Sequence, residues 1–318
     1  MDTNRSLTAR RAAERGTAAV LRLWERLGLP ADSPEVVSNR GSLMVRMPGA
    51  GLVARVSTHT GAQRQDQGWW LGVEVATGRI AHAAGVPVVP PAQSVDPGPH
   101  EVDGLWVSLW EDQGDQDGMA TPEESAQALV AWHRALADSG EDLPVMTVAH
   151  QVITEPLEYA VRHGFLDTAE HAALTREHEE ALAGIAGLGT EEVLLHGDAH
   201  RGNLLRDSSG VWRWNDLEES CRGPIEWDLA VLGSTPTEDV GRAALTAYCE
   251  LTDRKVPTPD DLAPWLRLRR LEGNAWAIGC AVTFPERYAD PARHYVDEIV
   301  ERSLDPRRRP STRGKSSG

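Results

Sequence analysis

The stretch HGDAHRGN at residues 196–203, continued by LLRDSSGVWRWND at 204–216, decides how this chain reads. Asp198 precedes Asn203 by five residues, and Asp216 follows Asn203 by thirteen. The intervening LLRDSSGVWRW reads as strand, turn, strand: Leu204 and Leu205, a polar turn at 207–210, then Val211, Trp212 and Trp214. A hairpin returns the chain on itself, so the spacing predicts Asn203 and Asp216 side by side. An amide and a carboxylate oxygen placed that way suit a hard cation such as Mg²⁺. Phosphoryl transfer needs little covalent help; it needs an aligned acceptor hydroxyl and neutralised charge. Asp198 is the residue expected to orient that hydroxyl and accept its proton, with Asn203 and Asp216 as metal ligands. His196 and His200 flank Asp198 and are expected to fix the loop by hydrogen bonds rather than bind metal.

Upstream, residues 8–28 carry helical periodicity, with Ala19, Leu21, Leu23, Trp24 and Leu27 among the apolar positions. VVSNRGSLMVRM, a PGAG turn at 48–51 and LVARVS predict two strands joined by a tight hairpin. Residues 67–84 predict a helix with Trp70, Val73, Thr77, Ile80 and Ala84 on one face. From VPVVPP to Val102 the chain is Pro-rich and reads as irregular or edge strand, and GLWVSLW (104–110) reads as a further strand. EDQGDQDG (111–118) reads as a polar linker. Beyond it, 122–136, 169–185 and stretches within 239–251, 259–283 and 290–304 predict amphipathic helices. A mixed N-terminal part, a linker and a helical C-terminal part imply two lobes with a cleft between them.

Composition narrows the function classes. The 318 residues can bury a sizeable core, and no apolar run reaches the roughly 18–20 residues of a membrane helix. The N-terminus lacks a signal peptide's apolar core, so a cytoplasmic protein without a membrane partner is expected. Cys221, Cys249 and Cys280 form no CxxC pair and read as free thiols. The net charge is −16, and the last fifteen residues carry five basic groups against one acid, leaving the rest more negative still. Such a body repels nucleic acid and favours cationic small molecules. Two lysines, Lys255 and Lys315, stand against thirty arginines, so a cation that holds phosphate is almost forced to be arginine. GKS at 314–316 resembles the end of a phosphate-binding loop, but Arg309 stands where its first glycine is needed.

HGDAHRGN with a downstream acid resembles the catalytic loop of the aminoglycoside phosphotransferase family, relatives of protein kinases. The similarity extends through DLEESCRGPIEWDLA (216–230), the order of elements upstream and the helix ALVAWHRALA (128–137), together spanning about 36 to 230. The resemblance implies an α+β, protein-kinase-like fold of two lobes. A small β-rich nucleotide-binding lobe would occupy 1–110, a hinge 111–118, and a larger helical lobe with the catalytic loop and substrate site 119–303. A disordered basic tail would follow at 304–318. The resemblance makes Asp198 the catalytic acid, and Asn203 and Asp216 the metal ligands. Arg55 falls where the family has a strand cation, often lysine, on the nucleotide phosphates, and Glu74 matches the acid that pairs with it. SNRGS (38–42) has one glycine, so backbone amides at Gly41 and Ser42 are the candidates for covering the phosphates.

Leu217 after Asp216, in place of the Phe-Gly of protein kinases, points to a small-molecule substrate. The implied reaction is ATP- or GTP-dependent transfer to a hydroxyl of a small, cationic acceptor, an antibiotic or an amino-alcohol or sugar metabolite, with Mg²⁺. The alternative is a catalytically inactive, kinase-like binding module, for which Arg55 and the glycine-poor loop speak. Asp228 reads either as a positioner of the catalytic loop or, the favoured reading, as a buried structural acid. Glu218, Glu219 and Glu226 either face a cationic substrate or sit on a solvated loop.

Overall fold

The computed structural model describes residues 3–30, 33–39, 41–234 and 237–304. Arg40, GKS at 314–316 and, apart from Leu304, the basic tail expected at 304–318 lie outside the described residues.

Helix α1 (Thr3–Arg26) leads into a five-stranded antiparallel sheet of order β1-β2-β3-β5-β4: β1 Glu35–Asn39, β2 Leu43–Met47, β3 Leu52–Val56, β4 His100–Val102 and β5 Leu105–Glu111. The period-two alternation of β2 and β3 assigns two faces. Leu43, Val45, Met47, Leu52, Ala54 and Val56 pack on Ala19, Val20, Leu23 and Trp24 of α1. Met44, Arg46, Val53 and Arg55 take the opposite face and line a cleft. Burying each of these large apolar side chains contributes about 1.5–3 kcal/mol.

The expected two-strand hairpin over 36–57 is instead three strands. VVSNRGSLMVRM forms two strands, with Asn39 paired to Leu43, and the 48–51 turn makes the second hairpin. The phosphate-loop candidate is therefore a β-hairpin connection at the cleft mouth. Between β3 and β4 lie α2 (His59–Gln63) and α3 (Gln67–Ala83), the latter capped by Asp66, whose side chain accepts from Trp69 N. Trp70, Val73 and Thr77 are buried as the periodicity predicts, whereas Ala84 lies past the helix end and is exposed. Glu74, the acid expected to pair with Arg55, is 1% exposed. The Pro-rich segment after α3 makes single bridges, Val88 to Trp214 and Pro91 to Trp110, which tie the sheet to the β7–β8 region.

From Pro122 the chain is mainly helical: α4 Pro122–Ala135, α5 Gln151–Arg162, α6 Thr168–Ile185, α7 Glu226–Ser234, α8 Glu238–Thr252, α9 Pro259–Thr283 and α10 Pro285–Leu304. Helices α5 and α7 have no counterpart among the expected elements: α5 is strongly amphipathic but carries Pro156, which reads as a helix breaker, and α7 is short with no amphipathic stripe. Two small ladders interrupt the helices. One pairs β6 (Glu192–Leu195) with β9 (Cys221–Pro224), and the other is the predicted hairpin β7 (Leu204–Arg206) with β8 (Trp212–Trp214). The turn between β7 and β8 is held by Asp207, whose Oδ1 accepts from Ser209 N and Val211 N. The helices share one core around Trp132, Trp214, Trp227, Trp265 and Tyr248. The three cysteines are buried free thiols. Among the described residues no helix is long and apolar enough to cross a membrane.

Candidate active site

A cleft of about 580 Å³ opens between the sheet and the helical part, a size that suits a small-molecule ligand. Gly41, Ser42, Arg55, Asp198, Asn203 and Asp216 all line it; Glu74 stands directly behind Arg55.

The loop at 196–203 is bound from beneath. Asp228, fully buried in the first turn of α7, accepts from His196 N through Oδ2 (2.9 Å) and from Gly197 N through Oδ1 (3.0 Å). His133 Nε2 on α4 also contacts Asp228 Oδ2 (3.1 Å), and its Nδ1 pairs with the Tyr248 hydroxyl (2.8 Å). Asp228 is thus both of the things proposed for it, a buried acid and the positioner of the loop. Trp227 Nε1 donates to Gly197 O (2.6 Å), and Ser220 Oγ to His196 O (3.1 Å). His196 is fully buried between Trp132 and Trp214, where burial lowers its pKa and keeps it neutral, and its Nδ1 accepts from Asp198 N (3.3 Å). His200 Nδ1 accepts from Gly202 N, which puts the proton of the neutral ring on Nε2, 3.3 Å from Asp198 Oδ2. Both histidines serve the loop.

Asp198 is surrounded. Asn203 Nδ2 donates to its Oδ2 and to its main-chain O, both at 2.9 Å. Arg269 Nη2, from α9, donates to its Oδ1 at 2.5 Å. Burial would raise Asp198, but the Arg269 guanidinium and His200 outweigh it and hold the carboxyl well below the usual carboxylate range. Arg269 Nη1 also pairs with Glu272 one turn along the helix.

Asn215 N donates to Asn203 O at 2.9 Å, so the hairpin delivers Asn203 and Asp216 to the same side of the cleft as expected. Asp216 has a left-handed backbone (φ 62°) and keeps its side chain 40% exposed to the cleft. Because Asn203 spends its Nδ2 on Asp198, its Oδ1 remains for a cation. A neutral amide oxygen beside a carboxylate is a donor set that fits Mg²⁺. Among the described residues no cluster of three or more His, Cys, Asp or Glu is placed to hold a metal, so phosphate and water would complete the shell.

Arg55 is the hub of the sheet side. Nη1 reaches Glu74 Oε1 (2.5 Å) and Asp216 Oδ1 (2.7 Å), Nη2 reaches Glu218 Oε2 (2.8 Å), and Nε donates to Ser42 Oγ (3.3 Å). Burial opposes the charge on Arg55, but Asp216, Glu74 and Glu218 hold it firmly protonated. Burial pushes Glu74 up to about 8 against the pull of Arg55.

The far wall is acidic. Glu218, Glu219 and Glu272 line the cleft with Gly273 and Trp276, and Arg64, stacked 3.9 Å over Trp70, stands near Glu218 (3.5 Å) and Glu219 (3.6 Å). Burial, then Glu272 and Asp198, raise Glu219 well above its ordinary value, and its Oε2 is buried without a partner. Glu226, grouped with these acids on sequence proximity, is not part of the wall. It starts α7 and accepts from Thr190 N at 3.1 Å. Arg64, Arg269, Glu272 and Trp276 were missed from sequence because nothing local to them marks a site. The one available signal was a run of arginines, LRLRRLEG at 266–273, inside an otherwise apolar helix.

The model of the phosphotransferase enzyme family matches residues 73–265, more than half of the chain. The chain belongs to that family. Solved structures similar to this phosphotransferase share its protein-kinase-like fold. They include the GDP complex of wild-type aminoglycoside 2'-phosphotransferase-IIIa (16% identity, 90% of this chain and 97% of that one, TM-score 0.56). A choline/ethanolamine kinase family protein from Mesorhizobium loti is 18% identical over 91% of this chain and 96% of its own, with TM-score 0.57. A spectinomycin phosphotransferase in complex with ADP and spectinomycin is 11% identical over 90% and 94%, with TM-score 0.56. No curated protein sequence matches the chain. The family match begins after Arg55 and ends before Arg269, so both of these cleft arginines lie outside it.

Proposed function

We propose that this phosphotransferase moves the γ-phosphate of ATP or GTP, with Mg²⁺, to a hydroxyl of a small cationic molecule. The observation that carries the reading is the meeting of Asp198, Asn203, Asp216 and Arg55 in one cleft whose far wall is acidic. In this reading 111–118 is the hinge between a nucleotide-binding lobe, 1–110, and a helical lobe, 119–303. The base lies between the sheet face and the hinge, against Met44, Val53, Val89 and Leu205. Arg55, oriented by Glu74, meets the phosphates, and the β1–β2 connection at Gly41 and Ser42 covers them. Asn203 and Asp216 hold Mg²⁺, which supplies charge neutralisation on the phosphates when bound. Asp198 orients the acceptor hydroxyl and takes its proton.

Glu218, Glu219 and Glu272 would meet an ammonium, and the unpartnered Glu219 Oε2 supplies an acceptor for one of its protons. Trp276 adds an aromatic surface of the kind that attracts cations. Two structural neighbours are named for small molecules, spectinomycin and choline/ethanolamine, which supports an acceptor of this scale. Free buried thiols fit a reducing compartment, and we place the reaction in the cytoplasm.

The test is a nucleotide-consumption screen of hydroxylated cationic compounds, aminoglycosides and amino alcohols included, with ATP and GTP and with Mg²⁺ or EDTA. Asp198→Asn should lose transfer by at least 100-fold while its Mg-nucleotide affinity stays close to wild type. Undiminished turnover in Asp198→Asn would remove Asp198 from its role. Phosphorylation of neutral alcohols in preference to amines would remove the cationic acceptor.

A further inference from the structure

Arg269 has no place in the reading above, yet it makes the shortest contact to Asp198. It donates to Oδ1 at 2.5 Å, on the opposite side of the carboxylate from Asn203 and His200. A hydroxyl that donates to Asp198 sits about 2.7 Å from the same carboxylate. The phosphorus it attacks sits about 3–3.5 Å further along. Both therefore lie beside the Arg269 guanidinium.

The charge balance of the cleft sharpens this. Asp198, Asp216, Glu218, Glu219 and Glu272 line it, while the arginines lining it among the described residues are Arg46, Arg55 and Arg269. Arg46 is engaged at the hinge end by Asp112 (3.0 Å) and Asp115 (2.6 Å). Arg55 is divided among Glu74, Asp216 and Glu218. A phosphoryl group arriving at Asp198 would meet an acidic wall, with Arg269 as the cation within reach.

Resting on the phosphotransferase reading, we infer that Arg269 is a further catalytic residue. Its guanidinium turns from Asp198 Oδ1 onto the oxygens of the phosphoryl group in transfer, and so frees Oδ1 for the acceptor hydroxyl. Glu272, its second partner on the same helix, anchors it throughout, so the cation is never left buried alone. The acceptor oxygen forms its bond to the γ-phosphorus as the bond to the β–γ bridging oxygen breaks. That oxygen leaves with the electron pair in the nucleoside diphosphate, and the hydroxyl proton passes to Asp198 and then to solvent. Arg269 gains and loses no proton. It meets the charge spread over the equatorial oxygens, for which its planar fork is suited and a lysine is not. Positioning of the carboxylate does not require Arg269, because the Asn203 and His200 side chains already hold Asp198 through Oδ2.

The experiment uses the full chain with Mg²⁺, ATP or GTP, and as acceptor the best compound of the screen, with water beside it. Arg269→Gln should lower turnover on the order of 100- to 1,000-fold, the usual loss for one transition-state donor, with nucleotide affinity within about 3-fold by fluorescent-nucleotide titration. Asp198→Asn combined with Arg269→Gln should fall well below Asp198→Asn alone, because the cation acts on phosphate and not only through Asp198. Equality of those two proteins, or wild-type turnover in Arg269→Gln, overturns the inference. If Arg269→Gln does not fold, Arg269→Lys decides. Intermediate turnover at an unchanged Tm supports the role, and wild-type turnover sinks it. A wild type that transfers phosphate to nothing, water included, fails the phosphotransferase reading itself. A wild type that turns over beside an indifferent Arg269→Gln fails Arg269 alone.

Discussion

Gly197 shows how tightly the loop that carries Asp198 is specified. Its backbone is left-handed (φ +90°), its N–H goes to Asp228 and its carbonyl to Trp227. A Cβ built there would sit 2.3 Å from the main-chain oxygen of Glu219, which cannot yield as a flexible side chain can. Gly197→Ala must therefore move the loop away from the segment that carries Asp216, Glu218 and Glu219. The expected cost is about 1–3 kcal/mol of stability, larger if the clash is not relieved. Turnover should fall much further than stability alone would predict, because Asp198 is the next residue. Urea unfolding and turnover measured on one preparation check this, and a fully active Gly197→Ala would show that the loop is not held as described.

At the scale of elements, what could be foreseen follows from how far a signal travels along the chain. Asp198, Asn203 and Asp216 lie within one turn-and-hairpin unit, so spacing alone places Asn203 beside Asp216. The 3.6-residue periodicity located α4, α6, α8, α9 and the core of α3, while α7 is too short to show a stripe and α5, though strongly amphipathic, is interrupted by Pro156, which reads as a breaker. The three strands before α2 are expected as two because VVSNRGSLMVRM reads as one strand, although SNRGS within it also reads as a loop, and the pairing of Asn39 with Leu43 shows the hairpin there. Arg269 had only the arginine run at 266–273 to mark it: it joins Asp198 across 71 residues, and an arginine on a helix is ordinarily a solvated one. Glu74 belongs to this scale as well, since it fastens α3 to β3 through Arg55. Glu74→Ala should cost about 1–3 kcal/mol, less than a broken isolated pair, because Arg55 keeps Asp216 and Glu218. The nucleotide KM should rise several-fold as the guanidinium loses its orientation. An unaltered KM would detach Glu74 from the nucleotide side of the cleft.

Across the whole molecule, the sheet and the helices meet partly at His59. Its Nε2 pairs with Asn39 Oδ1 (2.9 Å), its ring lies edge-on to Phe284 at the α9–α10 junction (4.5 Å), and burial lowers its pKa to about 4. An unfolded histidine takes up its proton near 6.5, whereas the folded one stays neutral until about pH 4. The unfolded chain therefore binds more protons in that window. The contribution of His59 is complete above about pH 6.5 and is lost as pH falls toward 4. It amounts to roughly 2 kcal/mol after allowance for residual solvent at the ring. His59→Gln should flatten the fall in urea midpoint between pH 6.5 and 4.5 relative to wild type, and parallel profiles would acquit His59. The arginines of the cleft carry a consequence of another kind. Reagents that acylate a lysine beside a bound nucleotide need a free amine, and among the described residues the cations that line the cleft carry guanidinium groups instead. Lys255, in the segment between α8 and α9, is not among the residues that line the cleft. A nucleotide acyl phosphate would thus occupy this site as a guest and leave no mark on it, so that profiling by amine capture would pass over an enzyme that binds the probe.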